Sequence, residues 1–502
     1  MKSRLFGILL FIETAALLVT AAVAMYYHRY GGENDQNSFL ITAGITGLVA
    51  VVLTLVGRWR NKALRIEDTY VIVTMSWVLF SAFGMLPFLL SGAVDNVTDA
   101  FFETMSGFTT TGSTILRDID SQSHAILFWR SVMQWLGGLG IVVFTLAFVP
   151  SVAKGSRNIS LFAAEAPGLS VEKLAPTMQG TSGILWAIYI FLTVSCAVFY
   201  WIGPMDFFDA VCHALTTTST GGFSTHAESI GYYQSGYLEY VCAVFMLLSG
   251  ISFAIYHFLV IGRLDVIRKN EELKVYLLSI LVMTVFFAIL FYVTPRFQGV
   301  TEAQLAGYPD RGEPTFRTSF FHVSSMLSNT GFAAANSNYD QWGMLFVIPT
   351  MVMMIIGGCA GSTSGGIKIV RLIVIFKVIK NALKELIHPT GMFTVKVSGQ
   401  KVDETSVRRV INFLSLFVIL FVVNVVVLTL TGLSLEDSCI SFLSYFSNLG
   451  SGSGATGPDA CLADLPAASK WVLAFDMLIG RLEIVTVLLF FSHGLSRRRA
   501  RS

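Results

Sequence analysis

Charged residues are scarce in this chain of 502 residues: they make up 13% of it, about half the share in typical soluble proteins. Proline is also scarce, with 12 residues, and the 6 cysteines show neither a Cys-x-x-Cys pair nor a metal-ligand spacing. Hydrophobic residues, by contrast, reach 54%, and the mean hydropathy is +0.67. A soluble protein cannot bury that much apolar surface. The composition therefore argues against a cytosolic enzyme, a disordered chain or a nucleic-acid-binding protein, and predicts an integral membrane protein.

Apolar stretches of about 20 residues, long enough to cross a bilayer, recur along the whole chain. The first is longer than the apolar part of a signal peptide, so we expect a retained helix. Its Glu13 is expected to pair with another helix or to extend outward to the membrane edge. The fold class is thus an all-α integral membrane protein with about ten transmembrane helices, at residues 4–27, 38–57, 69–92, 124–150, 181–202, 237–262, 274–295, 342–386 (interrupted), 409–433 and 470–495.

Basic residues are concentrated in alternate loops, near residues 2–4, 58–65, 154–173, 263–274, 368–409 and 497–501. Cytoplasmic loops of membrane proteins carry an excess of Lys and Arg, so these segments and both termini are predicted to be cytoplasmic. The opposite loops are richer in Asp and Glu, which would raise the local cation concentration. An ordinary solvated loop surface is the alternative for any single one of these acids.

After the first two helices, one pattern occurs four times: a long helix, a short amphipathic segment, a Thr/Gly-rich turn and another long helix. Internal repetition at a period of about 110 to 120 residues is the strongest signal in the sequence. It divides the chain into two leading helices (1–66) and four repeats (67–155, 156–265, 266–395 and 396–502). The turns read Thr109-Thr110-Thr111-Gly112, Ser219-Thr220-Gly221-Gly222, Ser328-Asn329-Thr330-Gly331 and Ser447-Asn448-Leu449-Gly450.

A short polar residue precedes each turn glycine at a constant interval and is predicted to cap a helix of about three turns. Such a helix is too short to span the membrane, so four re-entrant pore helices that enter from outside are expected. The predicted caps are Asp99, Asp209, Thr318 and Asp437.

Non-helical backbone at membrane depth is tolerated only where it is buried in protein or lines a watery cavity. Four turns around one axis would offer carbonyl and side-chain oxygens to a dehydrated cation, as in a potassium filter. Glycine permits the backbone this requires, and the pore helices would direct their negative ends at the ion. Close packing of small residues is the alternative for a single turn. The predicted ion-contacting residues are Thr110, Thr111, Gly112, Thr220, Gly221, Gly222, Asn329, Thr330, Gly331, Asn448, Leu449 and Gly450.

These turns, with Phe223 and Phe332 after two of the glycines, resemble those of the Trk/Ktr/HKT superfamily of potassium transporters. The resemblance covers residues 69–495, and the two leading helices resemble its bacterial TrkH branch. It implies K⁺ as the transported ion, a homodimer with one pore per protomer, a bacterial inner-membrane location and a cytosolic TrkA-like nucleotide-binding regulatory subunit. Glycine at all four positions fits the potassium-selective members. After the fourth glycine, Ser451-Gly452 departs from the Pro-Gly of many relatives.

Residues 357–366 contain five glycines in ten positions, so the second helix of the third repeat is expected to break there. The segment matches neither a phosphate loop nor a serine-nucleophile elbow, because Ile367 and Thr363 stand at the wrong places. Close helix packing through Gly357 and Gly361 is one reading. The resemblance implies the other, a flexible loop that obstructs the pore. The predicted gate residues are Gly357, Gly358, Gly361, Ser362, Thr363, Ser364, Gly365, Gly366, Lys368 and Arg481.

Arg481 lies midway along the last apolar span, where a charge is costly and faces a cavity or a partner. An ion pair with an acid is one reading, although Glu483, two residues away, points to a different helix face. The resemblance implies a place in the pore just inside the filter. We hypothesise that Arg481 and residues 357–366 form the gate, so that neutralising Arg481 raises the basal flux of K⁺.

His213 and His322 occupy corresponding positions nine residues before their turn glycines, and could be pH-responsive or simply packed. The basic stretch 377–408 is a candidate docking surface for a cytosolic partner or for lipid headgroups. An ion-coupled secondary transporter of another solute is the alternative function, although such folds usually show two long repeats. An intramembrane enzyme is disfavoured because no nucleophile–base pair or metal cluster stands out. The sequence leaves open whether flux is channel-like or a symport with H⁺ or Na⁺.

Overall fold

The computed structural model describes residues 2–58, 66–152, 178–297, 312–334, 342–452, 454–457, 462–482 and 484–499. Within these ranges the chain is almost entirely helical, and each of the ten predicted apolar stretches coincides with one helix or with two consecutive helices. Strands occur there only in a small antiparallel hairpin, β1 (Lys396–Val397) and β2 (Gln400–Lys401). The predicted all-α class is confirmed.

Two helices, α1 (Lys2–Gly31) and α2 (Gln36–Arg58), precede the repeats and pack along each other. Leu17 and Ala21 are fully buried, whereas Leu18 on the outer face is 50% exposed. Large apolar side chains exposed along a helix of this length are stable in lipid rather than in water. Glu13 is buried against Gly84 and does not extend outward.

Four units with the same order of elements follow. The first two contain α3 (Ile66–Gly84), α4 (Leu86–Ser91), α5 (Val97–Phe108) and α6 (His124–Val152), then α7 (Met178–Ile202), α8 (Phe207–Thr218), α9 (Gly236–Ser249), α10 (Phe253–Val260) and α11 (Leu264–Lys269). The last two contain α12 (Glu271–Phe297), α13 (Glu313–Leu327), α14 (Met344–Ile355) and α15 (Ile369–Ile387), then α16 (Glu404–Leu430), α17 (Leu435–Phe446), α18 (Ala467–Leu482) and α19 (Ile484–Arg499).

Six spans in the described part of the chain are long and apolar enough to cross a membrane: α1, α2, α3 with α4, α7, α12 and α16. The bent pair α9 and α10 makes a seventh if it is counted as one span. The four short helices α5, α8, α13 and α17 lie at the centre, with most of their side chains buried on all sides. The long helices surround them.

Three of the short helices begin three residues earlier than the sequence predicted. The side chains of Asn96, Asp206 and Ser434 are the caps, and they accept the backbone N–H groups of the predicted caps, Asp99, Asp209 and Asp437. The predicted caps therefore occupy the third helical position, where a carboxylate stabilises the positive end of the helix. Thr318 lies inside α13, which begins at Glu313 and has Gly312 at its cap position.

Within the described residues, the second long helix of the second repeat is broken as well as that of the third, although the sequence predicted a break only in the third. Residues 357–366 separate α14 from α15 as expected. In the second repeat, the predicted single span 237–262 is two helices, α9 and α10, bent by 92° at residues 250–252. The bend has a partner that the local sequence does not reveal: Gly250 and Phe253 form backbone hydrogen bonds with Cys359 and Gly361 of the other broken segment.

Candidate cation pathway

The four turns (109–112, 219–222, 328–331 and 447–450) share one backbone conformation. Two positions in each turn have a left-handed φ, which is rare for residues other than glycine. The last position is always glycine, with φ between 81° and 85°. The second position is a polar residue that adopts this strained conformation, with φ values of 56° in Thr110, 53° in Thr220, 54° in Asn329 and 54° in Asn448.

The turns are also attached to their helices in one way. The N–H of the third residue reaches back to a carbonyl five residues earlier, in the last turn of the preceding short helix. These bonds are Thr111 to Ser106 at 2.9 Å, Gly221 to Thr216 at 2.8 Å, Thr330 to Ser325 at 3.0 Å and Leu449 to Ser444 at 2.9 Å. Four equal attachments make the turns quasi-equivalent in geometry as well as in sequence.

The four turns meet in a closed ring. A Cβ added to any turn glycine would collide with the carbonyl oxygen of the third residue in the next turn. The distances from the added Cβ to that carbonyl oxygen are 2.1 Å from Gly112 to Gly221, 2.1 Å from Gly222 to Thr330, 2.0 Å from Gly331 to Leu449 and 2.0 Å from Gly450 to Thr111. Each repeat therefore contacts the next, and the fourth contacts the first. Glycine is needed for its space as well as for its φ.

Several side chains of the turns are hydrogen-bonded, whereas the Thr110 hydroxyl and the Asn448 side-chain oxygen are buried without a hydrogen-bond partner among the described residues. The hydroxyls of Thr109 and Thr111 are 2.8 Å apart, and those of Ser328 and Thr330 are 2.7 Å apart. The amide of Asn329 donates to the Met354 carbonyl at 3.2 Å. Similarly, the amide of Asn448 donates to the Met477 carbonyl at 2.9 Å and to the Thr111 hydroxyl at 3.1 Å. The candidate cation ligands are therefore the backbone carbonyls together with the side-chain oxygens of Thr110 and Asn448.

The electrostatics of the ring favour a cation. The short helices end at Phe108, Thr218, Leu327 and Phe446, directly before the turns, so their negative C-terminal ends face the ring. The twelve predicted ion-contacting residues carry no formal charge. Partial charges of carbonyls and helix ends attract a monovalent cation without the cost of burying a full countercharge.

The segment 357–366 lies against the third and fourth turns and against the end of α8, directly before the second turn. The hydroxyl of Thr363 donates to the carbonyl of Thr218 at 3.1 Å, at the end of α8. Ser364 donates to the side-chain oxygen of Asn329 at 3.0 Å. A Cβ on Gly365 would lie 2.0 Å from the carbonyl of Ser447. This segment, called the glycine loop below, thus contacts the third and fourth turns and the end of the helix that precedes the second turn.

The glycine loop is also bonded to itself. Ile356 and Ile367 form a parallel bridge in which Gly357 donates to the Ile367 carbonyl and Ile367 to the Ile355 carbonyl, each at 2.9 Å. Gly358 donates to the Ser364 hydroxyl at 2.8 Å, and Ser362 to the Cys359 carbonyl at 2.7 Å. These bonds bring the two ends of the break together.

Two further backbone features keep the glycine loop compact. Gly361 and Gly366 have φ values of 76° and 65°. The Nζ of Lys368 donates to the Ser364 carbonyl. The predicted gate residues therefore form one folded unit rather than an extended linker.

Arg481 joins the glycine loop to the first repeat. Its side chain is 6% exposed, and the guanidinium donates to the Thr363 carbonyl and to the Gly137 carbonyl, both at 2.9 Å. Among the described residues, no carboxylate forms an ion pair with Arg481, whose partners are these two carbonyls; Glu483 is outside the described residues. The ion-pair reading is therefore not supported by these residues. A buried guanidinium held by two neutral carbonyls keeps its full positive charge beside the ring.

Neighbouring carboxylates at the start of α12 were not singled out in the sequence. Glu272 accepts the N–H of Ala360 in the glycine loop at 2.7 Å and that of Val370 in α15 at 3.3 Å. Glu271 forms an ion pair with Lys377 at 2.5 Å and accepts the N–H of Ser398 in the hairpin at 3.1 Å. Acids at the end of a predicted span look like ordinary surface charges, so sequence offered no signal for either role.

Gln134 was missed for a similar reason. It is fully buried in α6, where its amide donates to the Gly221 carbonyl at 2.6 Å and its side-chain oxygen accepts the N–H of Phe223 at 3.0 Å. The available signal was a lone amide in an apolar span, which is costly to bury unless it is hydrogen-bonded. The histidines His213 and His322 are buried as well, and bond Ser224 and Thr350 at 2.9 and 3.0 Å.

A helical membrane fold with a ring of uncharged turns at its centre defines a cation-transport protein and not an enzyme. The model of the TrkH family, described as a cation transport protein, matches residues 37–498. The chain belongs to this family, as the turns indicated.

Known relatives match over nearly their full length. The chain is 32% identical to the Trk system potassium uptake protein TrkH of Salmonella typhimurium, over 98% of each chain. It is 33% identical to TrkG of Escherichia coli, over 97% of this chain and 96% of that one. The crystal structure of the potassium transporter TrkH from Vibrio parahaemolyticus superposes with a TM-score of 0.82 at 30% identity, over 97% and 98% of the two chains.

Proposed function

We propose that this protein takes up K⁺ across the bacterial inner membrane through a filter formed by the four turns. The closed ring of glycine contacts carries this proposal, because it gathers backbone carbonyls from all four repeats around one axis. Carbonyl oxygens replace the hydration shell of K⁺ in potassium filters. The full-length similarity to potassium uptake proteins supports K⁺ as the cargo.

The glycine loop and Arg481 are proposed as the gate of this pathway. The loop contacts two turns and the end of α8, and the guanidinium of Arg481 donates to its Thr363 carbonyl. A folded segment on one side of the ring obstructs ions, and a buried positive charge there repels them. Opening requires the loop to leave the turns, which breaks hydrogen bonds but no covalent or metal link.

We further propose that the protein works as a homodimer with a cytosolic TrkA-like nucleotide-binding subunit. The concentration of Lys and Arg in alternate loops supports a cytoplasmic location for both termini and for the hairpin. The hairpin exposes Lys396 and Lys401, and α15 exposes Lys380. This basic surface, connected to the glycine loop through Glu271 and Glu272, supports docking of a regulator there.

The test is rubidium uptake by the purified protein in liposomes, with sodium as competitor. We expect rubidium uptake that excess sodium does not suppress. Gly112→Ser puts a side chain 2.1 Å from the Gly221 carbonyl at a φ of 85°, so this variant should lose much of its selectivity. Gly44→Ser is the matched control, because nothing lies within 4 Å of its added Cβ. Equal uptake of rubidium and sodium, unchanged by Gly112→Ser, would contradict the proposal.

A further inference from the structure

Each short helix carries a buried polar side chain nine residues before its turn glycine: Glu103, His213, His322 and Ser441. In the first two repeats, this side chain bonds the residue two places after the glycine. Glu103 accepts the Thr114 hydroxyl at 3.0 Å, and His213 bonds the Ser224 hydroxyl at 2.9 Å. In these two repeats the position therefore holds the chain that leaves the turn, and of the four repeats only the first has an acid there.

Both oxygens of the Glu103 carboxylate are used. One accepts the Thr114 hydroxyl and Nε of Arg130 at 2.8 Å, and the other accepts the N–H of Ile115 at 2.9 Å. The side chains of Glu103 and Arg130 are 0% and 1% exposed. The acid thus holds the segment that follows the first turn, and Arg130 neutralises its charge.

Arg130 connects this assembly to the second turn. Its guanidinium donates to the Ser224 carbonyl at 2.9 Å and stacks 4.1 Å above the ring of Phe223. Gln134 is four residues further along α6 and faces the same way, and it bonds the Gly221 carbonyl and the Phe223 N–H. One face of one helix therefore contacts residues 221–224.

Removing two charges from water is costly, and an apolar pair of similar volume is often equally stable. A buried ion pair is therefore a weak explanation of stability alone. Here its two members attach to segments of different repeats, directly behind adjacent turns. Their fixed geometry sets the relative position of those turns, and a filter distinguishes K⁺ from Na⁺ by the placement of its oxygens.

We propose that Glu103 and Arg130 are positioning residues that fix the spacing of the first and second turns and thereby set the preference for K⁺ over Na⁺. This inference rests on the proposed function, because it takes the four turns as the filter. Neither residue contacts the ion; both act through the backbone of the turns and the segments that follow them. The property that they control is the selectivity ratio rather than the amount of folded protein.

The experiment compares rubidium and sodium uptake in liposomes that contain purified Glu103→Gln, Arg130→Gln or Arg130→Lys. The ratio of the two rates is independent of how much protein is active, so a purely structural defect leaves it unchanged. We expect the ratio of rubidium to sodium uptake to fall about tenfold in Arg130→Gln, equivalent to about 1.4 kcal/mol, and to fall less in the conservative Arg130→Lys. Arg117→Gln is the control, because its ion pair with Asp464 is exposed.

A second variant covers the case in which the single changes do not fold. Glu103→Leu with Arg130→Met removes both charges together and keeps an apolar pair, which should fold. This double variant should also lose the preference for rubidium over sodium. A wild-type ratio in this double variant, or in folded single variants, overturns the inference. If Gly112→Ser still changes the ratio in that case, the proposed function stands; if it does not, the proposed function fails as well.

Discussion

Replacing Arg481 with Gln tests the gate directly. The guanidinium donates one hydrogen bond to the glycine loop, at the Thr363 carbonyl, and one to the Gly137 carbonyl in α6. Only the first must break when the loop moves away from α18. A hydrogen bond from a charged donor contributes about 1.5–3 kcal/mol, and each 1.4 kcal/mol changes an equilibrium about tenfold. Losing this bond should therefore raise the open fraction, and with it the basal flux, roughly ten- to hundredfold.

The assay is basal rubidium uptake in liposomes without any cytosolic partner, normalised to the amount of reconstituted protein. Arg481→Lys separates the two contributions, because it keeps the charge but loses the forked geometry that reaches two carbonyls. It should therefore lie between the wild type and Arg481→Gln. Arg117→Gln, at an exposed ion pair, should match the wild type. A basal flux of Arg481→Gln within about twofold of the wild type would refute the gating role, because that factor is below the smallest effect of one such bond.

Two other outcomes are expected. Gly365→Ala puts a Cβ 2.0 Å from the Ser447 carbonyl, so it should displace the glycine loop and raise basal rubidium uptake. Gly183→Ala, whose added Cβ has nothing within 4 Å, should leave uptake unchanged. Equal uptake by the two variants would contradict the contact. Burial alone would lower the pKa of His226, but hydrogen bonds to Asp209 and Asp120 outweigh it and raise that pKa above 6.5. The stabilisation of the folded protein by protonated His226 is therefore complete below pH 6.5 and is lost as pH rises through the folded pKa. The melting temperature of the wild type should fall over that pH range, whereas that of His226→Gln should stay flat. Parallel curves of melting temperature against pH for the two proteins would refute this.

The four turns were predictable because their chemistry is local. A left-handed backbone needs glycine, and a buried turn needs polar partners nearby, so both requirements appear as repeated letters. Three of the four helix starts were missed by three residues because the cap and the third helical position are both polar and favour the same residue types. Local sequence alone therefore left the register ambiguous.

The features that could not be predicted depend on contacts distant in sequence. The bend at Gly250 is stabilised by hydrogen bonds to residues 359–361, more than a hundred positions away. Gln134 and Arg130 look like isolated polar residues in an apolar span until the second turn is placed beside them. Apolar composition identifies the span but not which face meets which neighbour. Only the packed structure shows that these side chains point to the turns.

The adjacency of Glu271 and Glu272 has a mechanical consequence. One residue is anchored to the hairpin and the other to the glycine loop, and successive residues of a helix are separated by only about 1.5 Å along its axis. A pull on the hairpin and a movement of the glycine loop therefore act on the same end of α12. If a regulator docks on the hairpin as proposed, force applied there reaches the glycine loop through the first turn of α12.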